Sequence, residues 1–79
     1  MADESKLENL RARVGRRRNE AQALAGKALS ALAQMTSGLT ALDDLDPDAV
    51  RATADTLADE LTKYRELKRM GEELNELLV

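Results

Sequence analysis

A chain of 79 residues, with 12 Lys and Arg against 15 Asp and Glu, forms at most one small domain, mildly acidic overall. Chains this short seldom stabilise themselves by a core alone and usually add disulfides, a metal or a second subunit. Cysteine and histidine are both absent, which excludes disulfides and thiolate sites and removes the commonest metal ligand and proton shuttle; oligomerisation or a dedicated partner is the remaining route.

Tyr64 is the only aromatic residue, and Ala and Leu interspersed with Glu, Lys, Arg and Asp make up most of the chain, the composition of long helices and coiled coils. No stretch alternates as a strand would. The expected fold is therefore all-α: a single domain over 1–79, built as a long antiparallel helical hairpin that dimerises into a four-helix bundle.

The first element opens with Ser5-Lys6-Leu7-Glu8, a capping box in which Ser5 caps the helix and Glu8 reaches back. Leu7, Val14, Ala21, Ala28, Met35 and Leu42 then fall seven apart, and Leu10, Arg17, Leu24, Ala31, Gly38 and Leu45 repeat three positions later. Two such rows are the a and d positions of a coiled-coil seam, which predicts a helix over about 5–43. Ala25, Leu29, Leu32 and Leu39 widen that stripe, and a wider stripe implies more than one neighbouring helix. Gly15, Gly26 and Gly38 interrupt the helix-favouring run: Gly15 is a candidate hinge, Gly26 allows close backbone approach, and Gly38 offers the alternative of an early end to the helix, with 39–45 as a separate turn.

The corner lies at Asp43-Asp44-Leu45-Asp46-Pro47-Asp48. Asp46 caps the second helix, Pro47 fits a first helical position whose N–H has no partner, and Asp48 meets the positive end of the helix dipole. The corner is thus expected at 43–47 and the second helix at about 47–78. Its seam begins Val50, Ala54, Leu57, Leu61, Tyr64 and continues Leu67, Met70, Leu74, Leu77. The consecutive steps of three from Leu61 to Met70 in that series read as a stammer. Gly71 after Lys68 and Arg69 is a candidate stop, but the apolar spacing beyond it favours continuation. A second helix of this length would cover the first only down to about Val14, so Leu7 and Leu10 would overhang and call for a second chain.

Charge is unevenly placed. Arg11, Arg13, Arg16, Arg17 and Arg18 crowd one end, and the carboxylates at 43–60 crowd the other. The arginines border the Leu7, Leu10, Val14 stripe, where coiled-coil partners place complementary charges. They are read first as contacts to acidic protein and second as contacts to phosphate, since an acidic chain without stacking aromatics is poorly equipped for nucleic acid. An antiparallel dimer would carry each basic end toward the other copy's acidic corner. Asp44, Asp46, Asp48 and Asp55 imitate calcium-loop spacing, but Ala49 stands where the sharp turn needs glycine, so no metal and no cofactor are expected. Ser5, Ser30 and Ser37 lack a neighbouring base, and paired carboxylates such as Asp55 and Asp59 lie on helix surfaces; no enzymatic activity and no small-molecule substrate are expected.

The residues expected to form the partner interface are Leu7, Leu10, Val14, Leu24, Leu29, Leu32, Tyr64, Leu67 and Leu74. The stretch 21–35 contains Lys27 and is too short to span a bilayer, and the first residues lack a basic segment followed by an apolar block; a cytoplasmic location without membrane contact is expected. Three functions fit: a protein-interaction module such as an adaptor, chaperone or inhibitor; a nucleic-acid-binding hairpin dimer; or a structural subunit of a larger assembly. For the second, the helix, acidic corner and helix centred on Leu42, Asp43, Asp44, Leu45, Asp46, Pro47 and Asp48 resemble the Rop family, small antiparallel four-helix bundles that bind RNA. The resemblance covers the architecture and no RNA-contacting motif.

Overall fold

The computed structural model describes residues 2–37 and 42–78, with side chains over 4–37 and 43–78. Two helices, α1 (Ala2–Thr36) and α2 (Pro47–Leu78), pack against each other as an antiparallel hairpin, joined through a 3-10 turn at Leu42–Asp44. The hairpin is a rod of 62 × 18 × 15 Å, and no strand occurs among the described residues.

Helix α1 already begins at Ala2, so Ser5 lies inside it and does not cap it, and it runs through Gly15 without a break. It ends at Thr36, seven residues before the expected boundary at 43. The hydroxyl of Thr36 donates to the carbonyls of Leu32 (3.3 Å) and Ala33 (3.0 Å), and the Ser37 amide donates to the Ala33 carbonyl at 2.9 Å. The Thr36 bond to Leu32 is the i−4 back-bond that Thr56 and Thr62 also make within α2, so it accompanies the last turn and does not itself end the helix. The expectations placed on Gly38 and Leu39 lie outside the described residues.

The start of α2 follows the capping chemistry. The Asp46 carboxylate accepts the Asp48 amide at 3.0 Å, and the Asp46 carbonyl accepts the first helical bond, from Val50, at 3.1 Å. Arg51 then pairs with Asp48 at 3.3 Å, one turn along. Helix α2 runs through Gly71 without a break.

The earlier end of α1 changes the overlap. Arg11 donates to the Asn75 side chain at 3.3 Å, and Val14 faces Gly71. In that register α2 reaches back past Leu10, and Leu7 is half-buried. The expected overhang beginning at Val14 does not exist; the shorter α1 is matched by α2 over nearly its whole length.

The seam between the helices is regular. In α2 the inward positions are Val50, Thr53, Leu57, Glu60, Tyr64, Leu67, Gly71, Leu74 and Leu78, all half-buried or buried. Their steps alternate three and four without interruption, so there is no stammer. Ala54 and Met70, expected on the seam, are exposed. In α1 the row Leu7, Val14, Ala21, Ala28, Met35 faces inward as expected. Its companion row is Arg18, Ala25 and Leu32; of the row expected there, Arg17 and Leu24 are exposed and only Ala31 is half-buried. Only Val14, Ala21, Ala28 and Leu74 among the described residues are buried, at 3 to 7% exposure. The core is a thin line of mostly small side chains.

Candidate interaction surface

The rotation of the α1 seam decides what remains outside. Since α2 occupies the first row and the row four positions on, the row three positions on (Leu10, Arg17, Leu24, Ala31) is turned to one side of the hairpin. The matching row of α2 is Thr56, Lys63, Met70 and Leu77. Helical residues three and four apart share a face, and the antiparallel register sets Leu10 abreast of Leu77, Arg17 of Met70 and Leu24 of Lys63. Leu10, Leu24, Met70 and Leu77 are 39, 46, 40 and 69% exposed. This side is the first flank.

A groove of about 620 Å³ runs along it. Leu24, Leu67 and Met70 form its apolar floor with Ala21, while Arg13, Arg16, Arg17 and Lys63 alternate with Glu20, Glu60 and Glu66 along its edges. Glu60 occupies a seam position with its side chain only 13% exposed and pairs with Lys63 at 3.2 Å. A carboxylate thus stands where a coiled coil would place leucine. Sequence periodicity passed over Glu60 because it is charged; its spacing of three from Leu57 and four from Tyr64 was the available signal.

The opposite flank holds Gly15, Gln22, Leu29 and Thr36 from α1, and Ala54, Leu61, Lys68 and Asn75 from α2. Leu29 and Leu61 are its large exposed apolar residues. Leu61 and the half-buried Tyr64 line a shallow depression with Arg65, Lys68, Arg69 and Glu72. Nearer the open end, Arg11, Arg18, Lys68 and Glu72 border a second hollow over Val14 and Gly71.

The residues expected at a partner interface thus divide. Val14 and Leu74 are buried within the chain, and Leu7, Leu32, Tyr64 and Leu67 are half-covered by it. Leu10 and Leu24 lie on the first flank and Leu29 on the opposite one. Met70, Leu77 and Leu61 join them outside, although periodicity had placed all three on the seam. Of the arginines, Arg13, Arg16 and Arg17 are exposed, Arg11 is held by Asn75, and the half-buried Arg18 donates to Asn19 at 3.4 Å. Ion pairs among the described residues include Arg51–Asp48, Lys63–Glu60 and Arg69–Glu73, and none of these three involves the five arginines.

Among the described residues no group of three acidic side chains is arranged to hold a metal ion, and no helix is long and apolar enough to cross a membrane. The grooves described above are open troughs along the rod. No protein-family model matches the chain, and neither a curated protein nor a solved structure matches it.

Proposed function

We propose that this chain is a non-enzymatic protein-interaction module, a helical hairpin that works by presenting its helix faces, as a dimer, to other protein surfaces. The observation that supports this most directly is the imbalance between inside and outside. Among the described residues the buried side chains are Val14, Leu74 and two alanines, while six large apolar residues stay 39 to 69% exposed. Scattered single apolar residues on a surface are ordinary; here four of them fall on the heptad rows of two helices on one flank, as a second seam does. The exposed Arg13, Arg16 and Arg17 add charge that an acidic helix or loop would satisfy.

Capture from an extract of the source cells, repeated with Arg16, Arg17 and Arg18 changed to Glu, tests the partner. Loss of a specific protein on charge reversal supports the reading; unchanged capture removes the arginines from it. Sedimentation at tens of micromolar tests self-association separately.

A second reading is favoured by one observation, the exposed Arg13, Arg16 and Arg17 beside Arg11 and Arg18 on a single helical stretch. Such a cluster binds phosphates by counterion release, and the hairpin would then be a nucleic-acid binder. Mobility shift at low salt discriminates: binding that falls steeply as salt rises supports it, and loss of protein capture without any shift supports the first.

A further inference from the structure

We infer that the first flank is a self-association surface, on which a second copy of this chain packs in antiparallel sense about a two-fold axis passing beside Arg17 and Met70. The inference rests on the interaction-module reading and specifies one of its surfaces.

The pattern along the flank is self-complementary. On α1 it runs Leu10, Arg13, Arg17, Glu20, Leu24 in steps of three, four, three and four. A copy laid antiparallel over it, centred on Arg17, sets Leu10 against the partner's Leu24. It also brings Arg13 within one residue's rise of the partner's Glu20, and each contact occurs twice. An isologous interface requires that kind of reciprocity, residue i on j and j on i. On α2 the same axis stacks Met70 on its own symmetry mate over the groove, and brings Leu77 over the aliphatic stem of the partner's Lys63. Arg17, nearest the axis, is flanked by Glu20 and Glu66 of the same groove, which separate it from its own copy by opposite charge.

The competing two-fold, parallel to the helices, stacks α1 of one copy on α2 of the other at equal height. It pairs Leu10 with Leu77 but opposes Glu20 to Glu66, so like charges meet where the first arrangement sets Arg13 beside Glu20. The opposite flank offers no reciprocal series, because Gly15, Gln22, Lys68 and Asn75 occupy the positions corresponding to those of the leucines and Met70.

Size is sufficient. The overlap about this axis takes in some 27 residues of α1, about 40 Å, but only 62–78 of α2, about 25 Å, at ~1.5 Å per residue, across a hairpin 18 Å wide. The footprint of roughly 600 Å² lies at the lower end of the ~600–1,000 Å² per partner of standard stable interfaces. The acidic corners then project beyond the contact, so the opposite charges that meet are Arg13 and Glu20 rather than the arginines and the corner.

The test uses the absence of native cysteine. Single-cysteine variants of the full chain, Met70→Cys, Leu24→Cys, Leu29→Cys and Leu10→Cys, are oxidised under identical conditions and run without reductant. Disulfides form only between Cα atoms about 4.4–6.8 Å apart, so Met70→Cys cross-links to itself, Leu24→Cys and Leu29→Cys do not, and a mixture of Leu10→Cys with Leu24→Cys gives the mixed dimer. In parallel, Leu24→Glu raises the dimer dissociation constant by a factor of about ten or more, whereas Leu29→Glu leaves it unchanged, with helix content of both checked by circular dichroism. A dimer that cross-links through Leu29→Cys and not Met70→Cys overturns the face. Failure of Met70→Cys to cross-link, with Leu24→Glu dissociating the dimer, overturns the antiparallel arrangement. A wild type that sediments as a monomer at tens of micromolar overturns the second copy as occupant, while protein capture sensitive to Arg16, Arg17 and Arg18 would leave the interaction module standing.

Discussion

The two flanks of the hairpin are cut from the same heptads and differ in what lies beside the seam. On one, Leu10, Leu24, Met70 and Leu77 keep the heptad rows and are separated by arginines and glutamates. On the other, Gly15, Gln22, Lys68 and Asn75 fill the equivalent places, and Leu29 and Leu61 are the large apolar residues left. Both flanks share one thin core, so the comparison isolates the surface from the fold. A helix with apolar residues at two positions per heptad satisfies one neighbour; α1, with three such positions over much of its length, has more apolar surface than α2 can cover. The difference teaches that the excess is not spread around α1 but concentrated toward one side.

The seam that backs both flanks is the place where the comparison can be broken most severely. Leu74 is 7% exposed and lies one turn beyond Gly71, which faces Val14 across the core. Leu74→Ala is expected to cost about 2–4 kcal/mol, a large share of the stability of a chain this size, and a urea titration followed by circular dichroism would read it as loss of both helices together. A change below about 1 kcal/mol would mean that the large residues of this end contribute little and that the alanine stretch carries the fold. Asp46→Ala comes next, at about 1 kcal/mol from the lost cap on the Asp48 amide. It lies at the corner, beyond the leucines of either flank, so the melt should shift while any self-association stays as it was.

The sequence shows the hairpin plainly and its rotation poorly. Asp46 and Pro47 marked the start of α2 because capping is local chemistry between neighbours, and that boundary stands. Fold class followed from the seven-residue rows and the lack of strand patterns. The end of α1 was missed by seven residues because Leu39, Leu42 and Leu45 keep the apolar period beyond Thr36, where the helix stops. The seam was misread for a related reason. Thr53, Glu60 and Gly71 occupy inward positions of α2, and Arg18 does so in α1, so following leucines from one to the next led to the flank rows instead. The rows were real, and it was their assignment to the inner face that failed. Which leucines lie outside was therefore not legible, since a heptad carrying apolar residues at three positions offers two seams and the chain alone does not say which one its own second helix takes.

Glycine substitutions sharpen the comparison at lower amplitude. A Cβ at Gly26 meets open space, contrary to the close approach expected there, and one at Gly71 meets Val14 Cγ1 at 3.8 Å, an ordinary contact. Gly26→Ala should then stabilise the hairpin by about 0.5–1 kcal/mol through helix propensity alone, without altering either flank, and a thermal melt would show it as a rise in midpoint. A loss of stability would indicate that the Gly26 backbone is covered by something outside this hairpin.

The smallest effect on folding carries the clearest contrast between flanks. Leu61 is 45% and Leu77 69% exposed, so neither Leu61→Lys nor Leu77→Lys removes more than a part of a side chain from the core, and each should change monomer stability by no more than about 0.5 kcal/mol. They differ in what they face. A lysine at 77 would bring a cation to the partner's Lys63 in the antiparallel dimer, where like charges across an interface are costly, whereas a lysine at 61 would extend the basic surface already made by Arg65, Lys68 and Arg69. Sedimentation of the two variants at equal concentration should separate them, with Leu77→Lys dissociating and Leu61→Lys unchanged. Raising the salt should partly restore Leu77→Lys, because an exposed repulsion is screened over a Debye length of about 8–10 Å, and the lost apolar cover of Leu77 is not.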